Sequence, residues 1–347
     1  MRLSLTVAVL ASLCAAGAAF NPALVSRGTL VSSSSLLSTV ESPPEVASTP
    51  SASSSALSGA EIKSRTEATI GKLREKDSKS PQLSKADIKV VFEDDHIIVV
   101  NKPSGVLCVP GKDNFPNLAQ AVCDGFGCEM GRADKMVVHR LGMDTSGLVV
   151  FAKTMDAVRG MNAIFRARKI ERKYEALVAG HGIINLPLMR DYEFPPFMRI
   201  STDEHQAALV DLNAEEVGKK LLEMPKESLT KYEVVNREDM DGTPVSRVAL
   251  TSISGRTHQL NVHLAAFGHP IVGDSVYGMG GIAAANGGLA DGELESMVPN
   301  AARAAADVQQ KAADAAANKG ACVHAKSLKF RHPITKEEVS LSSDAPF

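Results

Sequence analysis

What most restricts the fold of this chain is a series of short β-branched runs, punctuated by turn residues, that begins abruptly near residue 88. Residues 88–92 (IKVVF) and 96–100 (HIIVV) are joined by Glu93-Asp94-Asp95, and Asn101-Lys102-Pro103-Ser104-Gly105 ends the second run with turn chemistry. Further runs occupy 147–154 (GLVVFAKT), 174–178, 232–235, 248–253, 326–330 and 339–341. Between them, 155–169 carries apolar Val158, Met161, Ile164 and Phe165 at the spacing of one inner helical face. A second helix is expected over 256–267, opened by Ser254-Gly255. Strands separated by single helices and long loops predict a mixed sheet in an α/β or α+β domain.

The chain has 347 residues, enough for two domains or one decorated domain, and 44% of them are hydrophobic, enough for a sizeable core. A net charge of −2 excludes a globally basic coat for nucleic acid but not a local basic groove. The five cysteines form no CxxC pair, which argues against a disulfide scaffold and a zinc site; Cys123 and Cys128 read as small hydrophobes or loop thiols. Trp is absent and aromatics make up 4%, so a surface built of many stacked rings is excluded.

The first sixty residues read as an address. Arg2 precedes an uncharged stretch, 3–19, too short and too interrupted by Ser and Thr for a membrane span, with small residues before a cut near Ala18 or Ala19. This is expected to be a signal peptide over 1–19. Residues 31–60 hold 12 Ser, a composition that cannot bury enough apolar area to offset its chain entropy. The segment 20–60 is transit-peptide-like, and the junction Ala18-Ala19-Phe20-Asn21-Pro22 resembles the bipartite presequences that address proteins to complex plastids. Plastid is therefore the expected location, with secretion or mitochondrial import as the alternatives. Residues 61–87 are charged and mildly helical, a surface helix or linker. Two stretches within 88–347 look inserted. Residues 203–226 carry a short charged helix, and 279–320 holds 14 Ala with a helix expected from an Asn300 cap to Asn318, solvated on its loop.

Five blocks then carry a resemblance: 93–111 (EDDHIIVVNKPSGVLCVPG), 137–154 (VVHRLGMDTSGLVVFAKT), 171–180 (ERKYEALVAG), 254–278 (SGRTHQLNVHLAAFGHPIVGDSVYG) and 323–333 (VHAKSLKFRHP). In this order and spacing they resemble the pseudouridine synthases of the RluA type, over 88–347 apart from the two insertions. The resemblance implies an α+β fold with a mixed, mainly antiparallel bifurcated sheet, flanking helices and a cleft across the sheet. It implies neither metal nor cofactor, a monomer with no membrane segment in its mature form, and a structured RNA partner, ribosomal or transfer. The implied chemistry flips a uridine out of the RNA, detaches the uracil and rejoins it to ribose through carbon; the flip costs a few kcal/mol of stacking.

Two departures bear on that chemistry. The family's catalytic Asp ends a block reading His-Arg-Leu-Asp; here the block is His139-Arg140-Leu141-Gly142. The family's Gln-Leu-Arg-Val-His block supplies an Arg that pairs with that Asp; here it is Gln259-Leu260-Asn261-Val262-His263. An arginine left facing no carboxylate in a half-buried site costs about 3–5 kcal/mol, so both changes together read as removal of one ion pair. Asp144, two residues along, is the fallback carboxylate, although misplacement of even ~1 Å can cost about 100-fold. What the resemblance carries over intact suits binding: Arg140 beside the flipped base, Tyr174 stacking on uracil, and Leu260, Arg256 and His258 around the cleft, with Thr257 shaping its loop. Six cations against three carboxylates over 155–175 add a candidate phosphate-contacting face. The expected function is structured-RNA binding with impaired isomerisation; the alternative is an active synthase acting on plastid RNA. No GxGxxG or Walker loop is present, and Asp144-Thr145-Ser146-Gly147 lacks the spacing of an aspartic protease.

Overall fold

The computed structural model describes residues 57–111, 113–178, 182–210, 212–297, 303–317 and 319–347. The signal- and transit-like readings fall on residues outside these, apart from 57–60. In chain order the elements are α1 (Gly59–Ser78), β1 (Lys89–Glu93), β2 (Ile97–Lys102), α2 (Leu118–Phe126), α3 (Ala133–Met136), β3 (Ser146–Ala152), α4 (Met155–Arg166) and β4 (Ile170–Val178). They continue as β5 (Gly182–Asn185), β6 (Leu188–Arg190), β7 (Met198–Ile200), α5 (Asp203–Ala208), α6 (Ala214–Val217), β8 (Leu229–Met240), β9 (Thr243–Ser252) and α7 (Gln259–Ala266). The last four are α8 (Asp291–Met297), α9 (Ala306–Ala315), β10 (Val323–Arg331) and β11 (Glu338–Ser342).

Nine of the strands form one sheet in the order β1-β2-β3-β10-β4-β9-β8-β5, with β11 added on β10. The sheet forks at β10. Its start runs parallel to β3 through His324 and Ala325, and its later residues, Ser327 to Arg331, pair antiparallel with β11. All other strand pairs are antiparallel. This is the mixed, mainly antiparallel, bifurcated α+β sheet expected.

The apolar runs explain the layering. β3 is buried at every position, so its side chains serve two cores. Val149 and Phe151 face α2 and α3 with Ile98 and Val100, whereas Leu148 and Val150 face α4 with Ile97 and Val99. A strand covered on both faces needs continuous hydrophobicity rather than alternation, and IIVV at 97–100 supplies it. Farther along, α7 covers β9 and β4 through Leu260 and Leu264. The helices begin where capping side chains satisfy free N–H groups: Ser58 and Glu61 form a reciprocal box at α1, Asn117 accepts from Gln120 N at 2.9 Å, and Thr154 accepts from Ala157 N.

Three local expectations are corrected. The helix read over 256–267 begins only at Gln259, because His258 sits at φ +52° and the Gln259 carboxamide ties Ser254 and Arg256 N into a loop. The inserted segment 203–226 forms two short helices, α5 and α6, rather than one. In 279–320, α9 starts at Ala306 after a separate α8, and Asn300 lies outside the described residues. That helix is not merely solvated: Ala312 and Ala316 pack with Leu177, Val245 and Val272 against the sheet, while an exposed Asp307–Lys311 pair forms at 3.4 Å.

Candidate functional site

A cleft of about 530 Å³ crosses the sheet where the loop before β3, the middle of β4 and the start of α7 converge. The first wall is the loop 140–145, and its backbone is held at every carbonyl from 142 to 145. Thr145 N donates to Gly142 O, Gly105 N to Met143 O, and Ser104 Oγ to Asp144 O at 2.6 Å. Lys102 does most of the holding. Its side chain is fully buried, and Nζ donates to the carbonyls of Pro103, Met143 and Thr145 at 2.8–2.9 Å. Burial without a carboxylate partner pulls its pKa down to about 8. Charge-assisted bonds to three carbonyls offset that desolvation and fix the loop whatever side chain stands at 142.

Gly142 is exposed at the tip of this loop, with a backbone outside the left-handed region. A Cβ built there would meet only Thr145 Oγ1, at 3.4 Å. The position therefore offers no carboxylate but has room for one. Asn261, the other departure, lines the same cleft and donates Nδ2 to Asp274 Oδ2 at 2.9 Å. Asp274 is buried, and its other oxygen accepts from Val276 N and Tyr277 N. An arginine at 261 would thus keep Asp274 as a partner, so its uncompensated cost falls below the 3–5 kcal/mol of a wholly unpaired guanidinium.

Asp144, the fallback carboxylate, divides its contacts between loop and cleft. Its backbone carbonyl accepts from Ser104 Oγ within the loop, while Oδ2 pairs with Lys76 Nζ at 2.5 Å. Lys76 also donates to Ser275 Oγ, so α1 lies along the mouth of the cleft, with Leu73 and Asp77 on its lining. Burial pushes the Asp77 carboxyl up, with Asp113 and Asp144 adding to the effect against Lys76. The charged segment 61–87 thus contains a helix that joins the site, and nothing in its local sequence signals Lys76 as a cleft residue.

The binding residues carried over by resemblance all line the cleft: Arg140, Tyr174, Arg256, His258 and Leu260. Arg140 is exposed and makes no hydrogen bond or ion pair among the described residues. Tyr174 is half-buried between two hydrophobic clusters, and burial raises its phenol. His258 Nδ1 meets the Tyr277 hydroxyl at 3.1 Å, with the rings edge to face. Arg256 reaches back to Glu227 O at 3.1 Å. His139, by contrast, faces inward: Val150 N donates to its Nε2 at 3.0 Å, and burial lowers its pKa to about 3, which keeps it a neutral acceptor.

Comparison with known proteins agrees with this geometry. The family described as RNA pseudouridylate synthase matches residues 96–266, which include both walls of the cleft. The dual-specificity RNA pseudouridine synthase RluA of Pasteurella multocida is 35% identical over 268 residues, spanning 75% of this chain and 94% of that protein. The chain belongs to the RluA-type pseudouridine synthase family. The RluA protein of Haemophilus influenzae is 31% identical over the same shares of each chain. Human RNA pseudouridylate synthase domain containing 1 has the same fold, with TM-score 0.51 and 24% identity over 77% of this chain and 87% of that one. Within this pseudouridine synthase fold, Gly142 and Asn261 line one cleft from two elements, the loop before β3 and the start of α7.

Proposed function

We propose that this pseudouridine synthase family member binds structured RNA, ribosomal or transfer, and has lost most or all uridine isomerisation. The observation that carries the reading is Gly142: a clamped, exposed loop tip that points no side chain into a cleft otherwise furnished with Arg140, Tyr174 and Arg256. The reaction needs a carboxylate to attack the nucleotide or to take its proton, and position 142 supplies none. Neutral Asn261, satisfied by Asp274, supports the reading because the partner position is also without charge. RNA as partner is supported by the relatives, whose names describe RNA pseudouridine synthases.

A second reading has an observation in its favour. Asp144 presents a carboxylate to the same cleft with a cation, Lys76, already paired to it, which makes an active synthase built on a displaced pair the alternative. Plastid location belongs to the same proposal and rests on the presequence composition of residues 1–60. The test is paired: binding of ribosomal and transfer RNA, and tritium release from RNA labelled at uridine C5. Binding without release supports the proposal. Release that depends on Asp144 supports the alternative, and absence of any RNA binding refutes both.

A further inference from the structure

A second groove, also about 530 Å³, opens beside the cleft, and the two share Arg172 and Ser252 in their walls. It lies where α4 ends, β4 begins and β10 passes alongside. Its polar lining holds five cations, Arg168, Lys169, Arg172, Lys329 and Arg331, against two carboxylates, Glu171 and Glu338. Both carboxylates are already engaged: Glu171 with Lys173 at 3.0 Å and Glu338 with Lys329 at 2.9 Å. Arg168, Lys169 and Arg331 are exposed and have no carboxylate partner among the described residues. A concentration of uncompensated positive charge is unusual on a chain whose net charge is −2.

Two details mark the groove as more than a solvated basic face. Arg168 occupies the left-handed position after α4, φ +54°, where glycine would be free and an arginine costs about 1–2 kcal/mol. Arg172 packs against Gly255, so closely that a Cβ there would fall 2.4 Å from Nη2. Its Nε is buried without a partner, and its guanidinium stands 5.9 Å from the Phe165 ring. Its charge is therefore held at the junction of groove and cleft, uncancelled.

We infer that this groove holds the backbone of an unpaired RNA strand on one side of the nucleotide seated in the cleft. The inference rests on the RNA-binding reading above. The volume is that of a small-molecule pocket, enough for one or two nucleotides of an extended strand and too small for a duplex. Phosphates meet Arg168, Lys169 and Arg331, and Arg172 receives the phosphate nearest the cleft. Ile164, Ile170 and Ile253 give the sugars and base edges an apolar floor.

The test uses the full chain and two fluorescent probes, an oligouridine of about twelve nucleotides and one of about four, titrated at several salt concentrations. Replacing Arg168, Lys169 and Arg331 by Gln removes three phosphate contacts. The salt slope for the long probe should fall by about 2, since each single-strand phosphate contact contributes about 0.7. Affinity for the long probe should drop at least ten-fold at low salt, and affinity for the short probe, seated in the cleft alone, should change less than two-fold. A control that removes Lys311, Lys319 and Lys63, exposed cations away from the groove, should leave both unchanged. If the wild type binds the long probe and the triple variant binds it with equal affinity and slope, the inference is wrong while the RNA-binding reading stands. An equal loss for a blunt RNA duplex would make the groove a general polyanion surface and overturn the single-strand assignment. If the wild type binds neither probe nor structured RNA, the functional reading itself fails.

Discussion

Placing a carboxylate at 142 and a guanidinium at 261 is the sharpest perturbation of the cleft. Gly142→Asp introduces a carboxylate where a Cβ has space, on a backbone that any residue adopts. Loss of glycine freedom in the unfolded chain stabilises by about 0.4–1 kcal/mol. Against this, the new carboxylate joins Asp77, Asp144 and Asp274 in one cleft, and Lys76 on its lining is already paired. The single variant should thus be near neutral in stability and nearly inactive. Asn261→Arg gives up the amide bond to Asp274, worth about 1 kcal/mol, and regains part of it through the same carboxylate. In the double variant two unit charges about 4 Å apart attract by about 4 kcal/mol at an effective dielectric of 20, before desolvation. Coupling of about 1–2 kcal/mol is the net expectation, within the range for residues in contact. For a domain of this size that is about 2–6 °C in Tm beyond the sum of the singles. Thermal unfolding of the four proteins, together with pseudouridine formation on RNA that co-purifies, measures both effects. Strictly additive Tm values would show that 142 and 261 do not meet and would refute the paired-loss argument. Coupling without activity would keep the geometry and show that the cleft has changed beyond these two positions.

Three further outcomes follow from the site. Lys102→Met should destabilise by about 2–4 kcal/mol, because three carbonyls lose their donor. Since the folded pKa of Lys102 is lowered to about 8 from 10.5, the unfolded chain binds more protons in that window; the wild type's advantage over Lys102→Met, read by denaturant unfolding, should widen by about 3 kcal/mol between pH 8 and 10.5. Lys76→Ala should cost under about 1 kcal/mol, as the pair with Asp144 is partly exposed, whereas Lys76→Glu should loosen α1 and lower its amide-exchange protection. A reporter fused after residue 60 should enter a plastid, and Phe20→Ala should divert it; secretion of the unmutated fusion would refute the targeting proposal.

The sequence made the sheet legible where strands are buried on both faces, because IIVV at 97–100 and GLVVF at 147–151 have no alternative to a covered strand. It made the cleft legible because its residues come in blocks with fixed internal spacing. The separate two-stranded β6–β7 pair was lost for the opposite reason: its strands are three residues each and carry no period to read. The start of α7 was misplaced because the Gln259 side chain, anchored across the fold to Leu229 O and Thr230 Oγ1, accepts from Arg256 N and holds 254–256 as a loop. Lys76 and Lys102 were missed as site residues for different reasons. Lys76 acts across 68 positions of sequence, and Lys102 looked like the polar end of a strand rather than a buried clamp. The packing of α9 was missed because alanine suits a solvated helix and a closely packed one equally.

The central claim is that the cleft binds RNA without isomerising uridine. Isomerisation exchanges the hydrogen at uracil C5, so RNA labelled with tritium at that position reports every turnover. With the full-length protein in excess over labelled plastid ribosomal and transfer RNA, release should stay at the protein-free background while binding is saturated. Release above background that disappears in Asp144→Asn would contradict the account and assign the catalytic role to the Asp144–Lys76 pair.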